Sequence, residues 1–159
     1  MPGRDQSAAR RPRIRPLALC LIRNEDRILV FEGYDPSRKL TYYRPLGGGI
    51  EFGETGAEAV AREIREEIGS ELLDVQFLRT FENIFTNDGQ RGHEIVLLYE
   101  ARLADESLYR REFIEAKEDD GAAFRAVWRS LSSFGPSSPL FPDGLMELLT
   151  SNPQPEHFS

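Results

Sequence analysis

The sequence predicts a layered α/β domain, and three observations predict it. The stretch from Thr55 to Gly69 has helical apolar spacing with a start signal and a stop signal at its ends. On either side of it lie apolar or alternating runs of strand length, separated by turn residues. A second, shorter amphipathic stretch stands near the end of the chain. Strands that frame a helix, with another helix after them, bury their apolar faces by stacking in layers. At 159 residues the chain is long enough for one domain with a real core and short for two.

Each element has its own signal. "IRPLALCLIR", from Ile14, is apolar at odd and even positions, so it is expected to be a strand buried on both faces. "NED" is a turn, and "RILVFEG" a second strand that completes a hairpin. "YDPSRKLT" is expected to be a loop, and "YYRPLGGGIEFGE" a short strand running into a glycine-rich turn. Thr55 followed by Glu58 is a capping box, in which side chains satisfy the orphan amides of a helix start. Gly69 is the matching C-terminal stop. "LLDVQFLRTFENIFTN" and "HEIVLLYEARL" are two long strands joined by "DGQRG". Residues 104–121 read as a charged loop with a strand fragment, and "AAFRAVWRSL" as the last strand. "PDGLMELLT" is a short helix that starts at its proline. The expected boundaries are a polar tail over 1–12, one domain over 13–150, and a second tail over 151–159.

Composition narrows the function. Hydrophobic residues make up 40% and charged residues 30%, a balance that supports a packed core rather than disorder. The longest apolar run near the start, "PLALCLI", is far too short to span a bilayer, so no membrane is expected. No secretory signal is visible, and the expected compartment is the cytoplasm. Cys20 is the only cysteine, which excludes an intrachain disulfide and points to a small buried apolar residue. The net charge of −7 argues against general nucleic-acid binding. Anionic substrates would be repelled too, unless divalent cations supply positive charge.

The helix carries the chemistry. Ala57, Val60, Ala61, Ile64 and Ile68 fall on one stripe that is expected to pack on the sheet. Glu63, Glu66 and Glu67 share the flank beside it, where like charges repel. A hard divalent cation would remove that cost, and Mg²⁺ or Mn²⁺ is the natural candidate. Arg62 can hold Glu66 or Glu54 by paired hydrogen bonds. For an arbitrary glutamate-rich helix, a salt-bridged solvated face is the ordinary explanation. Here a wider spacing argues against it.

Gly48, five residues, Glu54, seven residues, then Arg62-Glu63-Ile64-Arg65-Glu66-Glu67-Ile68-Gly69 resembles the Nudix box, G-x5-E-x7-R-E-U-x-E-E-x-G-U, where U is bulky and apolar. Every fixed letter is present. The last U is Ser70, a departure expected to weaken one packing contact after the helix. A chance match of this quality is on the order of one in a hundred thousand for such a composition.

The resemblance implies a Nudix fold, an α/β/α sandwich around a central mixed sheet, with the box as a loop–helix–loop. It implies hydrolysis of a small-molecule nucleoside diphosphate linked to another moiety, with Mg²⁺ or Mn²⁺ as cofactor; the acidic balance leaves no nucleic-acid partner expected. By position, Glu63, Glu66 and Glu67 are similar to the metal-binding carboxylates, and the Gly47 carbonyl to a further ligand. Glu54 with Arg62 is similar to the family's buttress. Leu46 stands between Pro45 and the glycines, a second departure, which bears on the carbonyl ligand. A homodimer is the assembly the resemblance leans toward.

The chemistry needs these residue types. Cations neutralise phosphoryl oxygens and activate water. Gly48 and Gly49 let backbone approach the phosphates, and Arg44 just before them is a candidate phosphate contact. A carboxylate must take the water's proton. Glu63 is the first choice. Glu94 and Glu118, outside the box, are the others, against ordinary readings as a solvated strand end and a charged loop. Tyr34, Tyr42, Tyr43 and Phe85 include either a base-stacking platform or core packing. The competing function is a non-catalytic Nudix-like nucleotide-binding module, which would be free to lose the box carboxylates that this chain keeps.

Overall fold

The computed structural model describes residues 11–151. Its strands are β1 (Ile14–Leu21), β2 (Arg23–Asn24), β3 (Arg27–Asp35), β4 (Leu40–Gly49), β5 (Leu72–Asn87), β6 (Gln90–Leu103), β7 (Phe113–Lys117) and β8 (Ala123–Ser130). The helices are α1 (Gly56–Ile68) and α2 (Leu145–Ser151). The expected tails lie almost wholly outside the described residues.

The strands form one sheet in the order β5-β6-β1-β4-β3-β8-β7, with β2 attached to β3. β1 and β6 run parallel, and the other pairs are antiparallel, so the sheet is mixed as expected. β1 is buried on both faces. Leu17, Leu19 and Leu21 join one core with Val96, Leu98 and the α2 residues Leu145 and Leu149. Ala18, Cys20 and Ile22 join the other, with Ala59, Val60 and Ile64 of α1 and Trp128 of β8. Each fully buried Leu or Ile contributes roughly 1.5–3 kcal/mol, which is how even a short α2 is held in place. A helix on each face of the sheet is the α/β/α sandwich. Cys20 sits at its centre, where burial, and then the charge of Glu100, pushes the thiol up to about 12.

The structure corrects several local expectations. β3 and β4 are longer than their patterns suggest, and the loop expected over 34–41 shrinks to residues 36–39. Asp35 makes this possible: its Oδ1 accepts from Ser37 N at 3.0 Å and Ser37 Oγ at 2.7 Å, an Asx turn that closes the hairpin early. The glycines expected in a turn are strand. Gly47, Gly48 and Gly49 pair with Leu19, Ala18 and Leu17. A Cβ on Gly47 would lie 2.1 Å from the Ala18 carbonyl oxygen, so glycine is there for close strand approach. β4 changes partner midway, pairing with β3 through Pro45 and with β1 from Leu46. α2 starts at Leu145 and not at Pro142, because Gly144 takes a left-handed φ of 92° just before it.

α1 keeps its expected ends. Thr55 Oγ1 accepts from Glu58 N at 3.1 Å, and Gly69 closes the helix at φ 71°. Its buried side is rotated from the expected stripe. Gly56, Ala59, Val60, Glu63, Ile64 and Glu67 are buried, whereas Ala57 is exposed and Ala61 and Ile68 are half-buried. Gly56 explains the rotation. Tyr99 Oη occupies the space a Cβ there would need, at 2.3 Å, so this edge of the helix leans onto the sheet and takes two glutamates down with it.

Candidate active site

That lean sets α1 against the glycine end of β4. A Cβ on Gly48 would stand 2.6 Å from the Glu63 carboxyl carbon. Glu63 and Glu67 are buried, at 3% and 8% exposure, while the Glu66 side chain is 49% exposed. The three box carboxylates therefore differ: two point under β4 and one stands at the mouth. Glu63 and Glu67 line a hollow of about 360 Å³ with Gly47, Gly48, Gly49 and Asp119.

Arg62 organises this hollow. Its Nε and Nη2 donate to the two oxygens of Glu54 at 2.8 and 3.0 Å. Its Nη1 donates to Glu63 Oε1 at 3.0 Å and Glu66 Oε2 at 3.3 Å, and its Nη2 also to the Gly49 carbonyl at 3.0 Å. One planar fork thus ties the loop before α1, the strand end and two helix carboxylates, which an ammonium could not do. The same bond from Arg62 holds the Glu54 carboxyl below its ordinary value.

The buried pair is short of positive charge. Burial raises both Glu63 and Glu67, and the two are hydrogen-bonded to each other. Glu67 keeps the proton, pushed up to about 9 by burial first and by Glu63 second. The bonds from Glu67 and Arg62 both favour the charged form of Glu63. Glu63, Glu66 and Asp119 each bring one carboxylate oxygen to within 4.8 Å of the others. Three hard oxygen donors converging beside a carboxylate pair that must share a proton fit a divalent cation. A cation would also release the Glu67 proton.

Asp119 escaped the sequence reading, which named its neighbour Glu118 as a further candidate base after Glu63 and Glu94. The Glu118 amide and carbonyl close a tight turn with Ala122 O and Gly121 N, both at 2.8 Å. Asp119 lies within this turn and reaches α1. Its only signal in the sequence was a pair of aspartates ahead of the last strand. Ser70 also differs from expectation. It is 2% exposed, donates Oγ to the Glu71 carbonyl at 2.9 Å and accepts from Asp105 N at 3.2 Å. It replaces an apolar contact by a polar tie to the chain after β6.

Glu94 stands apart from the carboxylate cluster. It is buried on β6, opposite Arg15 of β1, in the wall of a neighbouring cavity. Burial raises its carboxyl, opposed by the charges of Arg44 and Arg15. Arg44 borders both hollows and lies 5.3 Å over the Phe31 ring. Of the aromatic candidates, Tyr42 and Phe85 line the neighbouring cavity. Tyr43 is core, and Tyr34 is exposed.

The NUDIX domain family model matches residues 13–144. The fold is similar to that of the MutT NUDIX hydrolase from Burkholderia pseudomallei, with a TM-score of 0.61 at 21% identity, covering 89% of this chain and 99% of that one. It is also similar to a NUDIX hydrolase from Nitrosomonas europaea, with a TM-score of 0.54 at 18% identity, covering 76% of this chain and 75% of that one. In sequence, the chain is 35% identical over 71 residues to the NAD-capped RNA hydrolase NudC of Photobacterium profundum, covering 45% of this chain and 26% of that protein. It is 42% identical over 69 residues to NudC of Mycobacterium bovis, covering 42% of this chain and 21% of that protein. The chain thus matches about a quarter of the length of these curated relatives. No helix among the described residues is long and apolar enough to cross a membrane.

Proposed function

Because the chain belongs to the Nudix family, we propose that it is a cytoplasmic pyrophosphohydrolase that cleaves the diphosphate of a nucleoside diphosphate linked to another moiety. One observation carries this reading: Glu63, Glu66 and Asp119 converge at the glycine end of β4, where Gly48 leaves room for the Glu63 carboxylate. These three would hold Mg²⁺ or Mn²⁺, with Glu67, once deprotonated, and the Gly47 carbonyl as further donors. When bound, the cation neutralises phosphoryl charge and makes water a better nucleophile.

The chain's own residues do the rest. Gly49 presents bare backbone against which a diphosphate can lie, while Gly48 makes room for the Glu63 carboxylate. Arg62 orients Glu63 and Glu66 and, through Glu54, fixes the loop that leads into α1. Arg44 and Arg15, between the two hollows, meet the charge of the phosphates. Glu63, which Arg62 holds in the charged form by the bond to its Oε1, is the first candidate to accept the water's proton. Glu94, in the neighbouring cavity that Arg44 also borders, is the second candidate.

The test is hydrolysis by purified protein with Mg²⁺ or Mn²⁺, reading released nucleoside monophosphate. The NudC relatives are named for NAD-capped RNA, so NAD and NAD-capped RNA head a panel of nucleoside diphosphate derivatives. Metal-dependent cleavage, lost in Glu63→Gln with the fold intact, is the expected result. Binding of a panel compound with no cleavage under either metal would favour the non-catalytic module instead.

A further inference from the structure

A third hollow, about 1150 Å³ in volume, opens where β1 and β6 begin. The two strands run parallel, with Ile14 opposite His93 and Arg15 opposite Glu94, so both starts lie at one end of the sheet. Arg11 and Arg13 line the hollow from the chain just ahead of β1, Arg15 from β1 itself, and Arg91 from the start of β6. All four are exposed, and none makes an ion pair among the described residues. Glu94 is the one carboxylate that lines it among those residues. Four arginines against one carboxylate reverse the balance of the whole chain, whose net charge is −7. Like charges held this close repel until an anion enters. The guanidinium offers a planar fork of N–H groups, which matches phosphate oxygens better than an ammonium does.

His93 gives an independent sign. Its Nε2 is buried and has no hydrogen-bond partner among the described residues, which is rare in folded proteins. His93 lines the same hollow, and rotation about χ2, a soft torsion, turns either ring nitrogen toward it. An imidazole N–H there donates to a phosphate oxygen. The hollow is also continuous with the carboxylate hollow, because Arg15 and Gly49 line both. The Ile50 amide donates to the Pro16 carbonyl at 3.0 Å, which holds the glycine end of β4 against the start of β1. A Cβ on Gly49 would meet nothing within 4 Å, so the passage over it is open. The carboxylate hollow is the smaller of the two, at about 360 Å³. A diphosphate lying there leaves the arginines of the larger hollow to meet other anionic groups on the same ligand.

We propose that this arginine-lined hollow holds a further phosphate of the substrate, one outside the diphosphate that is cleaved. The inference rests on the diphosphate reading of the adjoining hollow and narrows it. The substrate class becomes a nucleoside diphosphate derivative that carries at least one more phosphate. Arg11, Arg13 and Arg91 meet that phosphate with His93, and Arg15 stands between the two sites.

Binding to the full chain in chelator tests it without any need for turnover. Three matched pairs are titrated by calorimetry at low salt. NADP against NAD adds a phosphate monoester. NAD extended through its adenosine 3′-hydroxyl by two nucleotides, against NAD, adds phosphodiesters. Diadenosine tetraphosphate against diadenosine diphosphate lengthens the anhydride chain. In at least one pair the phosphate-rich member should bind about tenfold or more tightly, the order expected of charge-assisted hydrogen bonds. The pair that shows the preference identifies the source of the phosphate. The preference should shrink as added salt screens the exposed arginines. Arg13→Gln combined with Arg91→Gln should reduce it to about twofold or less in a protein of unchanged Tm. Equal binding within every pair, or a preference that survives in the double variant, would overturn the inference. A preference without hydrolysis of any panel compound under either metal counts against the hydrolase and leaves the phosphate site standing. Hydrolysis of a panel compound with no preference for added phosphate does the reverse.

Discussion

Gly48 of β4 and Glu63 of α1 fill one space: the Glu63 carboxyl carbon lies 2.6 Å from where a Gly48 Cβ would be. Gly48 has an ordinary backbone, so its requirement is steric. Gly48→Ala should push the Glu63 carboxylate off the donor cluster and leave the strand pairing intact. The expected loss is about 10–100-fold in Mn²⁺ affinity and in kcat/KM, the usual penalty for disturbing the support of a metal ligand. Calorimetric titration and steady-state kinetics check it, and values within about twofold of wild type would reject the steric fit.

The helix and the box were legible because their signals are local. The Thr55–Glu58 cap, the Gly69 stop and the Arg62–Glu67 spacing all lie within one element. The rotation of the buried edge was not legible, because Tyr99 on β6 sets it. The glycine run read as a turn because glycine alone carries no strand signal, and only the approach of β1 explains its strand pairing. Asp119 belongs to a loop brought to α1 by β7 and β8, and nothing near it in the chain points to Glu63.

Glu67 should make stability depend on pH in the metal-free protein. Its carboxyl is pushed from 4.5 to about 9 in the folded state, so the folded chain holds a proton that the unfolded chain releases. The stabilisation is full below about 4.5 and falls as pH rises from there toward 9. Tm in chelator should decline across that window, and Glu67→Gln should flatten the decline. Added Mg²⁺ should raise Tm more at high pH than at low pH, since binding displaces the proton. A metal effect independent of pH would separate Glu67 from the cation site.

Arg62 and Glu54 should act as a unit. The bidentate bond between them is made from the same guanidinium that orients Glu63 and Glu66. Arg62→Lys keeps the charge and loses the fork, so kcat should fall at least tenfold, about 1.4 kcal/mol. Adding Glu54→Gln should cost much less than it does alone, with a coupling of about 0.5–3 kcal/mol in the double-mutant cycle. Additive effects would mean that Glu54 acts without Arg62.

Ser70 should matter for stability alone. Its Oγ, on a buried side chain, satisfies the Asp105 amide at 3.2 Å, and neither of its hydrogen-bond partners belongs to the carboxylate cluster. Ser70→Ala removes that bond from a half-buried amide, at a cost of about 0.5–1.5 kcal/mol. Tm should drop by several degrees while kcat stays unchanged, and a kcat loss in a stably folded variant would reject the tie as purely structural.

Asp119 and Glu118 provide the sharpest contrast, because they are neighbours in one loop. Asp119 brings an oxygen to the cluster with Glu63 and Glu66, while Glu118 contributes its backbone to the turn that positions it. Asp119→Asn keeps the shape of the side chain and removes a charged donor. It should weaken Mn²⁺ binding and lower kcat/KM by about 10–100-fold. Glu118→Gln leaves the turn's hydrogen bonds in place, since they are backbone bonds, and should change Mn²⁺ affinity by less than about threefold. Water-proton relaxation with Mn²⁺ reads both variants directly. The opposite order, with Glu118→Gln the more damaging, would transfer the role of loop carboxylate from Asp119 to Glu118.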